Sequence, residues 1–431
     1  MLKVLEYKET NYEIIWGYVS VVILVLFSSF SNALFIDNLT NDYAALAFVM
    51  LLYLVRYKSI PHIYFKIMLV FAAYNVIHYL IYHDFHPSFF ARYTFYISLA
   101  FFTIRLNFEN FFERLEKVIY YGALISLPLF VLQTLFFGQF YPAMAALEHI
   151  MRIIPRAQHD GLYYVNTLFY TINTSGAARN CGFMFEPGAF GSILAITIGL
   201  NLVQNKFDLK NKRLIVLLLA LITTFSTAAF LSLICLILFY VINKELKKGL
   251  ILAPAGIVLI LVLLQLPFMS NKIDRVSSKP DKQLINAVQM ANDTGHLQSL
   301  GRFAGLLMNL KDFEKAPVFG LGGHDMLRES EIHKWLVSSV NGLGDYLTTF
   351  GAVGILLLLF NLSKTFASLT AEYKVKGFYF LVMVVLIVTF SFVLLPTPLF
   401  FSFQIFYISR AKIVTESELE AIANKLSYSS Y

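Results

Sequence analysis

The chain has 431 residues, 58% of them hydrophobic and only 14% charged. A soluble domain carries about 25% charged residues, so a soluble protein is excluded and a polytopic membrane protein is expected. Two cysteines rule out a disulfide framework. A formal charge of +7 is modest for this class, so its placement carries more than its size.

The first residues, "MLKVLEYKETNYEII", lead into an apolar run with no convincing small-residue cleavage site. That reads as a retained span, not a signal peptide. A spanning helix needs about 20 apolar residues. In chain order the candidates are 14–35, 43–55, 63–82, 89–104, 118–137, 187–204, 214–225, 227–242, 250–268, 345–362, 377–394 and 398–409. Runs 43–55, 214–225 and 398–409 are too short to cross alone. They are expected to be tilted, extended by polar residues, or re-entrant. The expected fold class is an all-α polytopic membrane protein of about twelve transmembrane helices.

The loops "RYKSIPH", "RLNFENFFERLEK", "NKFDLKNKR", "NKELKKG" and "SKTFASLTAEYKVKG" are rich in Lys and Arg. Between them, "SNALFIDNLTND", "HDFHPS" and "LLPTPLF" have neither. This alternation follows the positive-inside rule. It predicts cytoplasmic termini and two long extracytoplasmic loops. The organisation is then 1–137 N-terminal helices, 138–186 first external loop, 187–268 central helices, 269–344 large external loop, 345–409 C-terminal helices and 410–431 a cytoplasmic tail. Within the first loop, "AMAALEHIMRIIPR" has helical apolar spacing. It suits a helix on the membrane surface or one packed on its own protein.

Chemistry-bearing residues gather at the external lips of spans. In "RNCGFMFEPGAF", Pro187 is suited to the first turn of a helix. Glu186 falls at its cap, where the helix dipole favours a carboxylate. Arg179 either snorkels to headgroups or presents its fork to anionic oxygens. The second loop holds Gly301-Arg302, then Pro317, Gly320, Gly322, Gly323 and His324 in "APVFGLGGH". Glycines there permit left-handed backbone and close ligand approach. His324 is a surface histidine or a site residue. In "SSVNGLGDYLTTFGAVG" the chain re-enters the membrane with Asn341, Asp345, Gly351 and Gly354. Asp345 reads as a helix cap or a site residue, and the last two glycines as close helix packing. "HDFH" holds His83 and His86, but in a short loop remote in sequence from the other candidates. With no Asp-x-Asp in the external loops, the expectation is no metal and no cofactor.

The order "RNCGFMFEP", the hairpin "TTFSTAAF", a large loop with "GR" and "PVFGLGG", and then "NGLGDYLTTFGAVG" resembles the O-antigen ligase and polymerase superfamily of bacterial polysaccharide assembly. The likeness runs over about 179–362. Ligases of this group usually place His-Asn ahead of the closing "GxxG". Here Asn341 and Gly351 keep that spacing, but Val340 stands in the histidine's position. The hairpin tip has Ser226-Thr227, not the Ser-Arg common in ligases, and Glu186-Pro187 is polymerase-like. The polymerase branch is favoured.

The resemblance implies a glycosyltransferase of the bacterial plasma (inner) membrane. Its substrate would be an oligosaccharide on undecaprenyl diphosphate, and its product O-antigen lipopolysaccharide, capsule or exopolysaccharide. Arg179 and Arg302 would hold the diphosphate, aided by Arg328 or Lys334. Glu186 would act as general base, with His324 a second candidate for that role or for a diphosphate contact. Asn341 and Asp345 would bind sugar hydroxyls, and Ser226 and Thr227 belong to the substrate-binding set. Partners would be membrane lipids and the pathway's flippase and chain-length regulator, with no nucleic acid. Rival readings are a ligase, a flippase and a non-enzymatic scaffold. A flippase generally has charges lining its spans, and here they sit in external loops.

Overall fold

A computed structural model describes residues 10–29, 39–151, 164–173, 178–244, 280–294, 298–329 and 337–410. The expected span 250–268, Lys334 and both chain ends lie outside these.

Every other expected span contains a helix among the described residues: α1 Asn11–Phe27, α2 Leu39–Tyr57, α3 His62–Tyr82, α4 Pro87–Asn107, α5 Phe111–Leu135, α7 Pro187–Gln204, α8 Lys212–Thr223, α9 Thr227–Asn243, α12 Gly342–Glu372, α13 Tyr379–Ser391 and α14 Pro398–Ser409. Further elements are α6 Phe137–Met151, the strands β1 Tyr164–Asn166 and β2 Thr171–Asn173, α10 Pro280–Thr294, β3 Gln298–Ser299, α11 Arg302–Lys315 and β4 Val337–Ser338. Four stretches, His62–Tyr82, Pro87–Leu135, Pro187–Gln204 and Gly342–Glu372, are long and apolar enough to cross a membrane. The protein is mostly helical, as an all-α membrane protein should be.

The helices sort by what they face. Helix α7 is buried from Pro187 to Val203, enclosed by α5, α8, α9 and α13. By contrast α3 leaves Leu69, Val70 and Leu80 about two-thirds exposed, an apolar surface that water would penalise and lipid would not. The short runs resolve differently. Polar ends extend 43–55 to the 19 residues of α2. Helices α8 and α14 remain 12 residues long, with α14 buried against α4 and α12.

Helix α6 packs on its own protein. Met144 joins Val165, Tyr170 and Ile172 in a small core over the antiparallel β1–β2 pair. Strands β3 and β4 pair in parallel, Gln298 beside Val337, which brings the starts of α11 and α12 together.

The expectation that Gly351 serves close helix packing is corrected. Gly351 has φ 65° and ψ −166°, and it interrupts α12. The interruption leaves carbonyls and N–H groups without helical partners, and the glycine loop supplies them. Leu321 and Gly322 donate to the carbonyls of Thr348 and Thr349, at 2.8 and 2.9 Å. Ala352 and Val353 donate to the carbonyls of Pro317 and Val318, at 2.9 and 3.1 Å. A Cβ on Gly320 would lie 2.4 Å from the Thr349 oxygen, and one on Gly351 2.4 Å from the Val318 oxygen. The close approach expected for a ligand is therefore made by the chain to itself. Tyr74 of α3 closes the joint, its hydroxyl donating to the Thr349 carbonyl at 2.7 Å.

Candidate functional site

The site is assembled at the start of α7. Pro187 is its first residue, as expected, because its missing N–H is not needed there. Glu186 occupies the cap position, yet its side chain makes no capping bond to the helix. The preceding segment is fastened by Asn180, which is wholly buried and donates to Ser126 Oγ and Thr223 Oγ1, both at 3.0 Å. This holds Arg179 over the α8–α9 turn. Its Nε donates to the Thr224 carbonyl and an Nη2 proton to the Phe225 carbonyl, both at 2.9 Å. A guanidinium has five N–H donors, so three remain among the described residues. Ser226 caps α9 and is buried, whereas Thr227 beside it is exposed.

Arg302 is the first residue of α11, a position where the helix dipole opposes a cation. Among the described residues its guanidinium has no hydrogen-bond or ion-pair partner. It lies over the Phe392 ring, 4.9 Å from the centroid. That ring is packed where a Cβ on Gly188, the second residue of α7, would be 1.8 Å from it. Phe392 thus connects the α7 start to Arg302.

Arg179, Arg302 and Glu186 lie close enough to act on one another electrostatically. Burial lowers the pKa of Arg179; Cys181 and Glu186 oppose this, and Arg302 adds to it. Burial lowers that of Arg302 as well, with Glu186 opposing. Two partly buried cations share one carboxylate, an arrangement that favours a further anion.

The remaining candidates separate from this group. Asn341 is wholly buried and committed within the chain. Its Oδ1 caps α12 by accepting from Gly344 N at 2.6 Å, and its Nδ2 donates to the Arg302 carbonyl at 3.2 Å. It therefore positions Arg302, and it, not Asp345, is the helix cap. Asn309 reinforces the joint by donating to Ser339 Oγ at 3.0 Å.

Asp345 and Arg328 pair with each other at 2.7 Å. Arg328 also meets Asp325 at 3.2 Å and donates to Thr349 Oγ1 at 2.9 Å. Burial works against its charge, but Asp345 and Asp325 outweigh that and raise its pKa.

His324 is 6% exposed and joins a third cluster. Its Nδ1 lies 2.9 Å from His86 Nε2, and its ring lies 4.2 Å from that of Tyr82. Burial, then His86 and His78, push its pKa down to about 4 against Asp84, so the ring is neutral at neutral pH. A neutral imidazole is a poor diphosphate contact. The "HDFH" loop, remote in sequence, meets His324 in space.

Sequence reasoning missed Asn180, Asn309 and Phe392. The signal for Phe392 was Gly188, directly after Glu186-Pro187, where only a residue without a side chain admits the ring. No protein-family model and no curated protein sequence matches the chain.

Proposed function

We infer that the chain is a glycosyltransferase that lengthens a polysaccharide from oligosaccharide repeats on undecaprenyl diphosphate, at the outer face of the bacterial plasma membrane. The observation that carries this is the Arg179–Arg302 pair with Glu186 at the start of the buried helix α7. The polyprenyl tail stays in the bilayer, so the reacting head must lie at the end of the helices. The Lys and Arg pattern of the short loops, which predicts external loops at 138–186 and 269–344, supports an outer-face position for the pair.

The chemistry needs no nucleotide, because a sugar diphosphate is already an activated donor. An acceptor hydroxyl oxygen attacks the anomeric carbon, and the bond from that carbon to the diphosphate oxygen breaks. Arg179 and Arg302 stabilise the charge that grows on the departing diphosphate. Glu186 takes the acceptor's proton as general base. Among the described residues Glu186 is the one carboxylate that acts on both arginines, so displacement is direct and inverts the anomeric carbon, since retention needs a second carboxylate as nucleophile.

Purified protein given lipid-linked repeats is expected to yield a ladder of longer chains without nucleotide sugar. An absolute requirement for nucleotide sugar overturns the reading. In a deletion strain, single repeats held on lipid are expected. Full-length chains held on lipid indicate a ligase, the reading Val340 disfavours.

A further inference from the structure

The geometry points to a transition-metal site of the zinc type, formed by Asp84, His86 and His324, that fastens the α3–α4 turn to the Pro317–His324 loop. Zinc takes imidazole and carboxylate ligands and often has three from the protein. Here one ligand atom from each of the three residues lies within 4.8 Å of the others. His86 Nε2 is 2.9 Å from His324 Nδ1 and 3.3 Å from Asp84 Oδ2. Ligand atoms on a tetrahedral zinc with bonds of about 2.0–2.1 Å sit roughly 3.3 Å apart, so the imidazoles need spread only slightly. Asp84 is largely exposed, which leaves the fourth position open to water.

Hydrogen bonding alone serves this trio poorly. A proton on His86 Nε2 can point fully at only one of its two neighbours. Without that proton, His324 must donate to His86, and the Asp84 oxygen then faces a lone pair. One divalent cation satisfies all three.

The convergence is built into the chain. A Cβ on Gly323 would be 2.9 Å from His86 Cβ and 2.7 Å from Phe89 Cβ, so only glycine lets the loop approach this closely. A Cβ on Gly322 would lie 2.8 Å from His78 Nδ1. His86 is the residue before α4 and makes no capping bond with its side chain, which leaves the imidazole available. The site is independent of the proposed sugar transfer, whose arginines belong to another cluster.

The test is zinc binding by the full-length protein in detergent, stripped with a chelator and titrated with Zn²⁺ against a chromophoric competitor. One equivalent per chain is expected. His86→Ala and His324→Ala should each weaken binding by on the order of 100-fold, and Asp84→Asn by less. Arg302→Ala should leave it unchanged. Less than one equivalent in the unsubstituted protein, or unchanged binding in both histidine variants, overturns the site. If the histidine variants do not fold, Co²⁺ in the unsubstituted protein decides. Intense d–d bands of a tetrahedral ion are expected, and their absence overturns the site. Loss of transfer in Arg302→Ala with zinc retained separates this proposal from the functional one.

Discussion

Arg328 and Arg302 are both partly buried arginines of the same loop region, and they are opposites. Arg328 faces Asp345, Asp325 and the Thr349 hydroxyl, so its charge is neutralised, and Nη1 and Nη2 donate to Asp345 and Thr349. Arg302 lies on a ring, at the unfavourable end of a helix, near a second arginine. A buried arginine with carboxylate partners is a structural joint, and removing one partner leaves a costly unpaired charge. An arginine supported without such neutralisation is held ready for an anion from outside the chain. Residue type and loop position do not separate these roles; the count of opposing charges does.

The contrast breaks first, and most visibly, at Arg302. Arg302→Ala is expected to lower transfer from lipid-linked repeats by about 10²–10³, with an unchanged thermal midpoint in detergent. A normal ladder from this variant would remove the anion-site assignment. Arg302→Lys should also fail, because an ammonium lacks the planar fork.

The opposite pattern is expected at Arg328. Asp345→Asn should destabilise the protein by about 3 kcal/mol, read from thermal unfolding, while transfer per folded molecule falls far less than in Arg302→Ala. If transfer vanishes and stability holds, the two arginines do not differ as argued. The joint they flank can be tested through Gly351, where φ is 65° and a Cβ would meet the Val318 oxygen. Gly351→Ala should cost about 2–3 kcal/mol, seen as a lower thermal midpoint and earlier proteolysis of the Pro317–His324 loop. The smallest expected effect is that of Val340→His, which should bring no gain of transfer to any acceptor. A gain would move the reading toward ligase.

The helices were legible because lipid-facing and core-facing residues are both apolar, and long apolar runs announce themselves. The grouping of Arg179, Glu186 and Pro187 at the α7 start was legible too, since they are close in sequence. The glycines of "PVFGLGG" announced unusual backbone but not its partner, and those of "FGAVG" read as helix packing. Each set satisfies the other's hydrogen bonds, and that pairing spans a chain separation no local pattern encodes.

By itself the sequence determined helix positions, the polar lips of the spans and the residue types available for anion and proton chemistry, because these depend on local hydropathy and side-chain identity. Only the tertiary structure decided which charges meet. Asp345 and Asp325 converge on Arg328, Glu186 acts electrostatically on both Arg179 and Arg302, and His86 meets His324 from a loop more than half the chain away. Electrostatic work depends on separation in space, and in a helical bundle that separation is set by packing between distant segments.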